Sequence, residues 1–286
     1  MAKDQKLSLR VQWLGERLRS ARKQAGYRLE DAAEYLQMSS NTMSRFERGT
    51  MRVRRSYIRD LVDFYGISNP RERDALFQLS QDAWRRDWWE GDTSDLDMEF
   101  LDYTWLEARA ARICVFAPML IPGLLQTERY IEAIMAYGPG REAEEKHIAR
   151  MVELRRTRQR ILERDEPTQL AVVMEEGPLL RQTGGPQVMR DQLQYLLKAR
   201  ANAHIDIRVL PRDVGWHPGV SGPFTFFDMP DPYPDVAFVE NLVGRTFLEA
   251  PDKVEPFTRA YDELYRLARN ASESTKFLQQ LLKDIE

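Results

Sequence analysis

The 286-residue chain contains a single cysteine, Cys114. One thiol can form neither an intrachain disulfide nor a cysteine metal cage. Histidine is also scarce. His147, His204 and His217 stand far apart, with no HExxH spacing and no cysteine partner, so no bound metal is expected. Long hydrophobic runs are missing too. The longest charge-free stretch, 113–127, is broken by Pro118, Pro122 and Gly123 and is too short to cross a bilayer. The amino end, MAKDQKLSLR, lacks the apolar core of a secretion signal. These absences lead to the expectation of a soluble cytoplasmic protein with no membrane association.

Catalytic constellations are equally sparse. Glu175 and Glu176 are adjacent, so on a strand they point to opposite faces and cannot share one reaction centre. Gly184-Gly185 is followed by neither the Lys-Ser/Thr of a phosphate loop nor a GxGxxG turn. Cys114 lies in an apolar run and reads as a core thiol. His217 sits in the Gly/Pro-rich loop 213–223 near Asp213, where a surface histidine is expected and a metal or proton-transfer role is the alternative. No catalytic residue and no cofactor is assigned, and the chain is not expected to be an enzyme.

What is present is a charge asymmetry. The formal net charge is only −3, yet residues 1–73 hold 16 Lys/Arg against 9 Asp/Glu, and the rest hold 26 against 36. A basic segment joined to an acidic body suggests a nucleic-acid module attached to something else. In the basic part, Val11, Leu14, Leu18, Ala21 and Ala25 recur at helical spacing and Gly26 stops the run. Leu29, Ala32, Ala33 and Leu36 give a second short helix. Ser39 is a good N-cap for a third, ended by Gly49. Ser56 is placed as the cap of a fourth, which ends at Gly66. Asn69-Pro70-Arg71-Glu72 opens a fifth with a cap, a first-turn proline and a capping-box partner.

The third helix is the informative one. At about 100° per residue, Met43 and Phe46 share one side, and Ser40, Asn41, Ser44, Arg45 and Arg48 share the other. Short hydroxyl and amide groups with an arginine suit an approach to base edges in the major groove, although a merely solvated face has the same composition. Arg52, Arg54 and Arg55 follow directly, where arginines can fix register on phosphates. The segment GYRLEDAAEYLQMSSNTMSRFERG then resembles the phage-repressor, or XRE, type of helix-turn-helix through Gly26, Ala33, Ser39, Met43, Ser44, Arg45, Glu47 and Gly49. The resemblance implies Ser40, Asn41, Thr42, Ser44 and Arg45 as base readers, and Arg28 joins Arg48, Arg52, Arg54 and Arg55 as phosphate candidates. Leu29 stands where that family often has a glutamine, and a leucine cannot make that polar contact. The resemblance also implies that Glu47 pairs with Arg22 of the first helix; two separate surface charges are the alternative.

Beyond WRRDWWE (Trp84, Trp88 and Trp89, read as internal packing), GDTSDLD at Gly91–Asp97 is the linker candidate. It gives domains 1–90 and 91–286. A helix is expected over 95–112, then a constrained loop at the prolines, and a helix from the Thr127 cap to Gly138. A charged helix is expected over 141–164, its stripe of Met151, Leu154 and Ile161 interrupted by Arg158. Strands are expected at 168–174, 205–210, 224–227, 236–240 and 244–248, with helices at 189–201, 253–269 and 270–285, the last opened by an Asn270/Glu273 box. The fold class is thus a five-helix all-α domain followed by an α+β domain with an antiparallel sheet.

The motifs IPGLLQTERY, EEGPLLRQTGGPQVMRDQL and IRVLPRDVGWHPGVSGPFTFF, in that order, resemble the DUF5753 domain of actinobacterial XRE-type regulators over about 101–284. Such proteins are described as Scr1-family or WhiJ-like, are likened to antitoxins, and are typically encoded beside small DUF397 proteins. Two readings stay open. One is a sequence-specific regulator, expected to bind double-stranded DNA as a homodimer, whose acidic body senses a ligand or partner. The other is an antitoxin-like module that grips a small DUF397-type protein, with DNA binding serving autoregulation. An enzyme, or a regulator with a small-molecule pocket, built around the 213–223 loop is a third class.

Overall fold

The structure, a computed structural model, describes residues 7–85, 96–136 and 145–285. The expected boundary at 90/91, Trp88, Trp89, most of the linker, Gly138 and the start of the charged helix lie outside those residues. The chain divides into two compact units, Met1–Trp105 with Asp231–Tyr233, and Leu106–Pro230 with Pro234–Glu286. No helix among the described residues is long and apolar enough to cross a membrane.

Among the described residues the first unit wholly contains five helices: α1 Leu9–Gln24, α2 Leu29–Tyr35, α3 Ser40–Glu47, α4 Arg55–Phe64 and α5 Pro70–Trp84. Their apolar faces meet in one core, in which Leu14, Leu18, Met43, Ile58, Leu61 and Leu79 are all but inaccessible. Two starts differ from expectation. The cap of α4 is Arg54, not Ser56, because Arg54 is extended and its carbonyl already accepts the Ile58 N–H at 3.2 Å. Asn69 caps α5 through the Arg71 N–H at 3.0 Å rather than through a box with Glu72. Arg10 is buried in this unit. It donates to the Asp82 and Arg85 carbonyls and lies over the Trp105 ring, where it trades water for carbonyl and π partners. Trp84 stays half exposed, with its indole N–H on the Val53 carbonyl at 2.7 Å.

The second unit is mixed. After α6 (Met98–Arg109), which begins in the first unit, come β1 Arg112–Ala117, α7 Glu128–Ala136, α8 Glu145–Gln159, β2 Gln169–Glu175, α9 Gly177–Leu180, α10 Pro186–Ala199, β3 Ile205–Leu210, β4 Phe224–Asp228, β5 Val236–Asn241, β6 Gly244–Leu248, α11 Pro251–Leu267 and α12 Ala271–Asp284. The α+β expectation holds, and the sheet has six strands in the order β3-β2-β1-β4-β5-β6. It is antiparallel across β1/β4, β4/β5 and β5/β6, in keeping with the expected antiparallel sheet, and parallel across β1/β2 and β2/β3, a part the sequence does not announce. β1 is the unforeseen strand, where a helix end and a loop are expected. Its run Ile113–Ala117 and the run Leu170–Met174 of β2 are apolar without alternation, as strands covered on both faces require. One face packs Cys114, Phe116, Val173 and Phe226 against Val254, Tyr261 and Leu264 of α11. The charged helix ends earlier than expected, at Gln159, and passes into a 3₁₀ turn at Arg160–Leu162. Arg158, which breaks its apolar stripe, is buried on Glu107 through contacts of 2.6 and 2.7 Å.

Burial pushes the Cys114 thiol up to about 11 from its ordinary 9.0. Below pH 9 both folded and unfolded chains hold the proton, and the stability is fully present. Between pH 9 and 11 the unfolded chain gives it up first, so stability falls by roughly 2–3 kcal/mol as pH rises. Urea unfolding at pH 8 and pH 11 is expected to show a loss of that size in the parent beyond any loss in Cys114→Ala.

Candidate nucleic-acid interface

The geometry of α3 begins at its cap. The Ser39 hydroxyl accepts the Thr42 N–H at 3.1 Å and lies 2.9 Å from the Thr42 hydroxyl, so both side chains are held at the amino end of the helix. Met43 and Phe46 point into the core and are 0% and 2% exposed. Asn41, Arg45 and Arg48 are exposed, and Ser40, Thr42 and Ser44 are half-buried, so the whole polar sector is on the surface. Arg48 folds back to the Ser44 carbonyl at 3.3 Å. Arg28 and Arg54 are exposed; Arg28 also sits 3.9 Å from Asp31. Arg52 and Arg55 lie over the rings of Trp84 and Phe77, at 5.6 and 5.7 Å, so their guanidinium groups are oriented rather than trailing in solvent.

Two fasteners hold α3 to α1. The first is ionic. Arg22 reaches Glu47 with Nε to Oε1 at 2.6 Å and Nη2 to Oε2 at 2.9 Å, and its remaining Nη1 donates to the Tyr27 carbonyl at 2.8 Å. Both residues are buried. The hydrogen bond to Glu47 raises the Arg22 pKa above its already high ordinary value, against the opposing effect of burial. The second fastener is steric, and sequence reasoning missed half of it. A Cβ on Gly15 would sit 2.5 Å from the Phe46 carbonyl oxygen, and one on Gly49 would sit 2.5 Å from the Gln12 Cα. The two backbones therefore cross where no side chain fits. The sequence marks Gly49 only as a helix stop, which its φ of +64° also makes it. A glycine inside an otherwise amphipathic helix is the available sign for Gly15. The turn between α2 and α3 places Gln37 at φ +54°, a left-handed conformation that a non-glycine residue holds at some cost.

The candidates in the acidic body come out differently. Glu175 and Glu176 do diverge. Glu175 lies 3.6 Å from His217 Nε2, while the buried Glu176 takes Arg269 at 2.7 Å and Arg212 at 3.8 Å. His217 is buried, which corrects the expectation of a surface histidine. Gly219 lets the loop press onto Phe116, where a Cβ would meet the ring at 2.4 Å, and the imidazole lies edge-on to the same ring at 5.9 Å. His204 Nε2 is 2.9 Å from the Leu162 carbonyl. The His147 side chain lies outside the described residues.

Two family profiles match the chain. One, described as a helix-turn-helix domain, matches residues 13–76. The other, described as a domain of unknown function, DUF5753, matches residues 100–280. Neither the curated proteins nor the solved structures contain a match.

Proposed function

From a chain that belongs to the DUF5753 family and carries a helix-turn-helix domain at its amino end, we propose a sequence-specific transcriptional regulator that lays α3 in the major groove of double-stranded DNA. The observation that carries this reading is the division of α3 into a core side, Met43 and Phe46, and an outward polar sector held at a fixed angle by Arg22–Glu47 and the glycine crossing. Asn41 and Arg45 are the leading base readers, with Ser40, Thr42 and Ser44 beside them. Arg28, Arg48, Arg52, Arg54 and Arg55 hold phosphates. One short helix reads few bases, so two copies act on half-sites about 10 bp apart or a multiple of that. The acidic body then senses a ligand or partner.

The test compares two arginines. Arg45→Ala is expected to lower affinity for the specific site by about 1–3 kcal/mol and flatten base preference, while Arg54→Ala weakens specific and random duplexes alike. Selection of bound fragments from genomic DNA supplies the specific site, and fluorescence anisotropy reads both variants. Equal losses on both kinds of duplex in both variants would remove Arg45 as a reader.

A second reading has its own support. The loops that follow β1, β2 and β3 expose Met119, Leu120, Leu180, Trp216 and Val220, and they meet through Arg181 on the Met119 carbonyl at 2.7 Å and Glu176–Arg212. Apolar side chains gathered in this way suit the grip on a small DUF397-type protein that the antitoxin-like alternative requires. Co-purification of the full chain with the product of a neighbouring small gene, abolished in Trp216→Asp, is the result this reading expects.

A further inference from the structure

The sheet of the second unit ends at β6, which pairs with β5 alone among the described residues. Edge strands commonly carry a proline, a lysine or a bulge that blocks further pairing. β6 reads GRTFL and keeps continuous register with β5, so it has no proline, lysine or bulge, and its one charge, Arg245, is drawn onto Glu240 of β5 at 2.7 Å. The turn that leads into it is stranger. Two-residue hairpin turns favour Asn, Asp and Gly, yet this one consists of Leu242 and Val243, which are 106% and 95% exposed. Two aliphatic side chains fully in water at a hairpin tip gain nothing within the chain itself.

The ladder fixes which backbone groups face outward. The turn closes on the pair Asn241↔Gly244, and antiparallel pairs alternate along the strand. Gly244, Thr246 and Leu248 therefore turn their N–H and C=O groups towards β5. Arg245 and Phe247 turn theirs away from it, and Glu249 follows directly after the last paired residue, Leu248. An added antiparallel strand must match outward residue to outward residue. For a second β6, three two-fold registers do this near the strand centre. One sets Arg245 against Arg245, which is repulsive. One centres on Thr246 and sets Arg245 against Phe247. One centres on Phe247 and sets Arg245, which already holds Glu240 of β5 at 2.7 Å, against Glu249, so that on both sides of the axis the guanidinium lies between two carboxylates.

We propose that β6 is a self-pairing edge through which two copies of this chain join their sheets, with Phe247 on the two-fold axis and Arg245 of each copy facing Glu249 of the other. Phe247 already packs on Phe238 at 5.1 Å between ring centres, so the junction forms a ladder of four rings across the two copies. In this register Gly244 falls level with the extended Ala250 of the second copy, so the exposed Leu242-Val243 tip lies beside the start of its α11. The interface supplies the second copy that the two-half-site reading requires. It rests on that reading only for its purpose, because its test needs no DNA.

Register-specific disulfides provide the test. In the proposed register Thr246 stands directly opposite Leu248 of the second copy, as a pair with Cα atoms about 4.5 Å apart, within disulfide reach. Full-length chains carrying Thr246→Cys and Leu248→Cys are mixed and oxidised gently; Cys114 is buried and its thiol stays silent. A covalent dimer is expected in the mixture and in neither variant alone. Parent protein is expected to sediment as a dimer at micromolar concentration. L242D/V243D is expected to raise the dimer dissociation constant by about tenfold or more with an unchanged unfolding midpoint, since these side chains sit in water in the single chain. A monomeric parent, cross-linking of Thr246→Cys alone, no cross-link in the mixture, or an unaffected dimer in L242D/V243D would each overturn the proposal. A dimeric, cross-linked parent that binds no duplex would leave this interface standing and remove the DNA reading instead.

Discussion

Glu47→Ala is expected to destabilise the helical unit by about 3–5 kcal/mol, among the larger effects a single substitution produces. Removing the carboxylate leaves the Arg22 guanidinium buried with only the Tyr27 carbonyl as partner. The Arg22 side chain is about nine-tenths buried, so little water reaches it to compensate, and an arginine cannot shed its charge to escape. The loss reflects an uncompensated charge more than the strength of the pair, so removing both members should behave differently. R22M/E47L replaces the pair with apolar groups of similar length and is expected to recover most of the loss. Urea unfolding followed by tryptophan fluorescence checks both. A Glu47→Ala chain within about 0.5 kcal/mol of the parent would mean that the ion pair is solvated and does not clamp α3.

The second large effect is on salt. With about four of the five phosphate arginines engaged per copy, Arg48 being folded back on the Ser44 carbonyl, two copies and a slope of roughly −0.9 per pair give a fall of log affinity with log salt near −7. Raising salt from about 50 to 200 mM should then weaken specific binding by roughly 10⁴-fold. Arg54→Ala should make the slope shallower by about 2 in a two-copy complex, because each copy then neutralises one phosphate fewer. Arg52 and Arg55, steered by Trp84 and Phe77, should lose more affinity than charge counting implies when those rings are replaced, because the free side chains must then be ordered on binding. Anisotropy titrations over a salt series measure all of these. A slope near zero on duplex DNA would end the electrostatic argument.

The helical unit is largely legible in the sequence because its signals are local. The cap at Ser39, the glycine stops and the apolar spacings each act within a turn or two, and α3 falls within its expected limits. The α4 cap shows the boundary of that logic. Ser56 has the better capping side chain, but Arg54 has the backbone conformation, and the backbone decides. In the second unit β3 and β6 fall at their expected ends, Ile205–Leu210 and Gly244–Leu248, because Pro211 stops the first and Gly244 opens the second. β1 is hidden because a strand covered on both faces has no alternation to betray it, and its apolar run merges with the proline loop that follows. The burial of His217 escapes the sequence because it depends on Phe116, about a hundred residues earlier in the chain.

Composition and short-range pattern were enough to specify a basic helical head, an acidic mixed body and the outward polar side of one helix, since each depends on neighbours a few residues away and on charges that need no fold to be counted. Only the tertiary structure decided that Gly15 and Gly49 bring two backbones together, that Arg22 and Glu47 meet out of water, that β1 and β2 run parallel, and that β6 lies at the rim of the sheet. These are relations between distant segments. Their strength comes from excluding solvent between surfaces that the linear chain never places side by side.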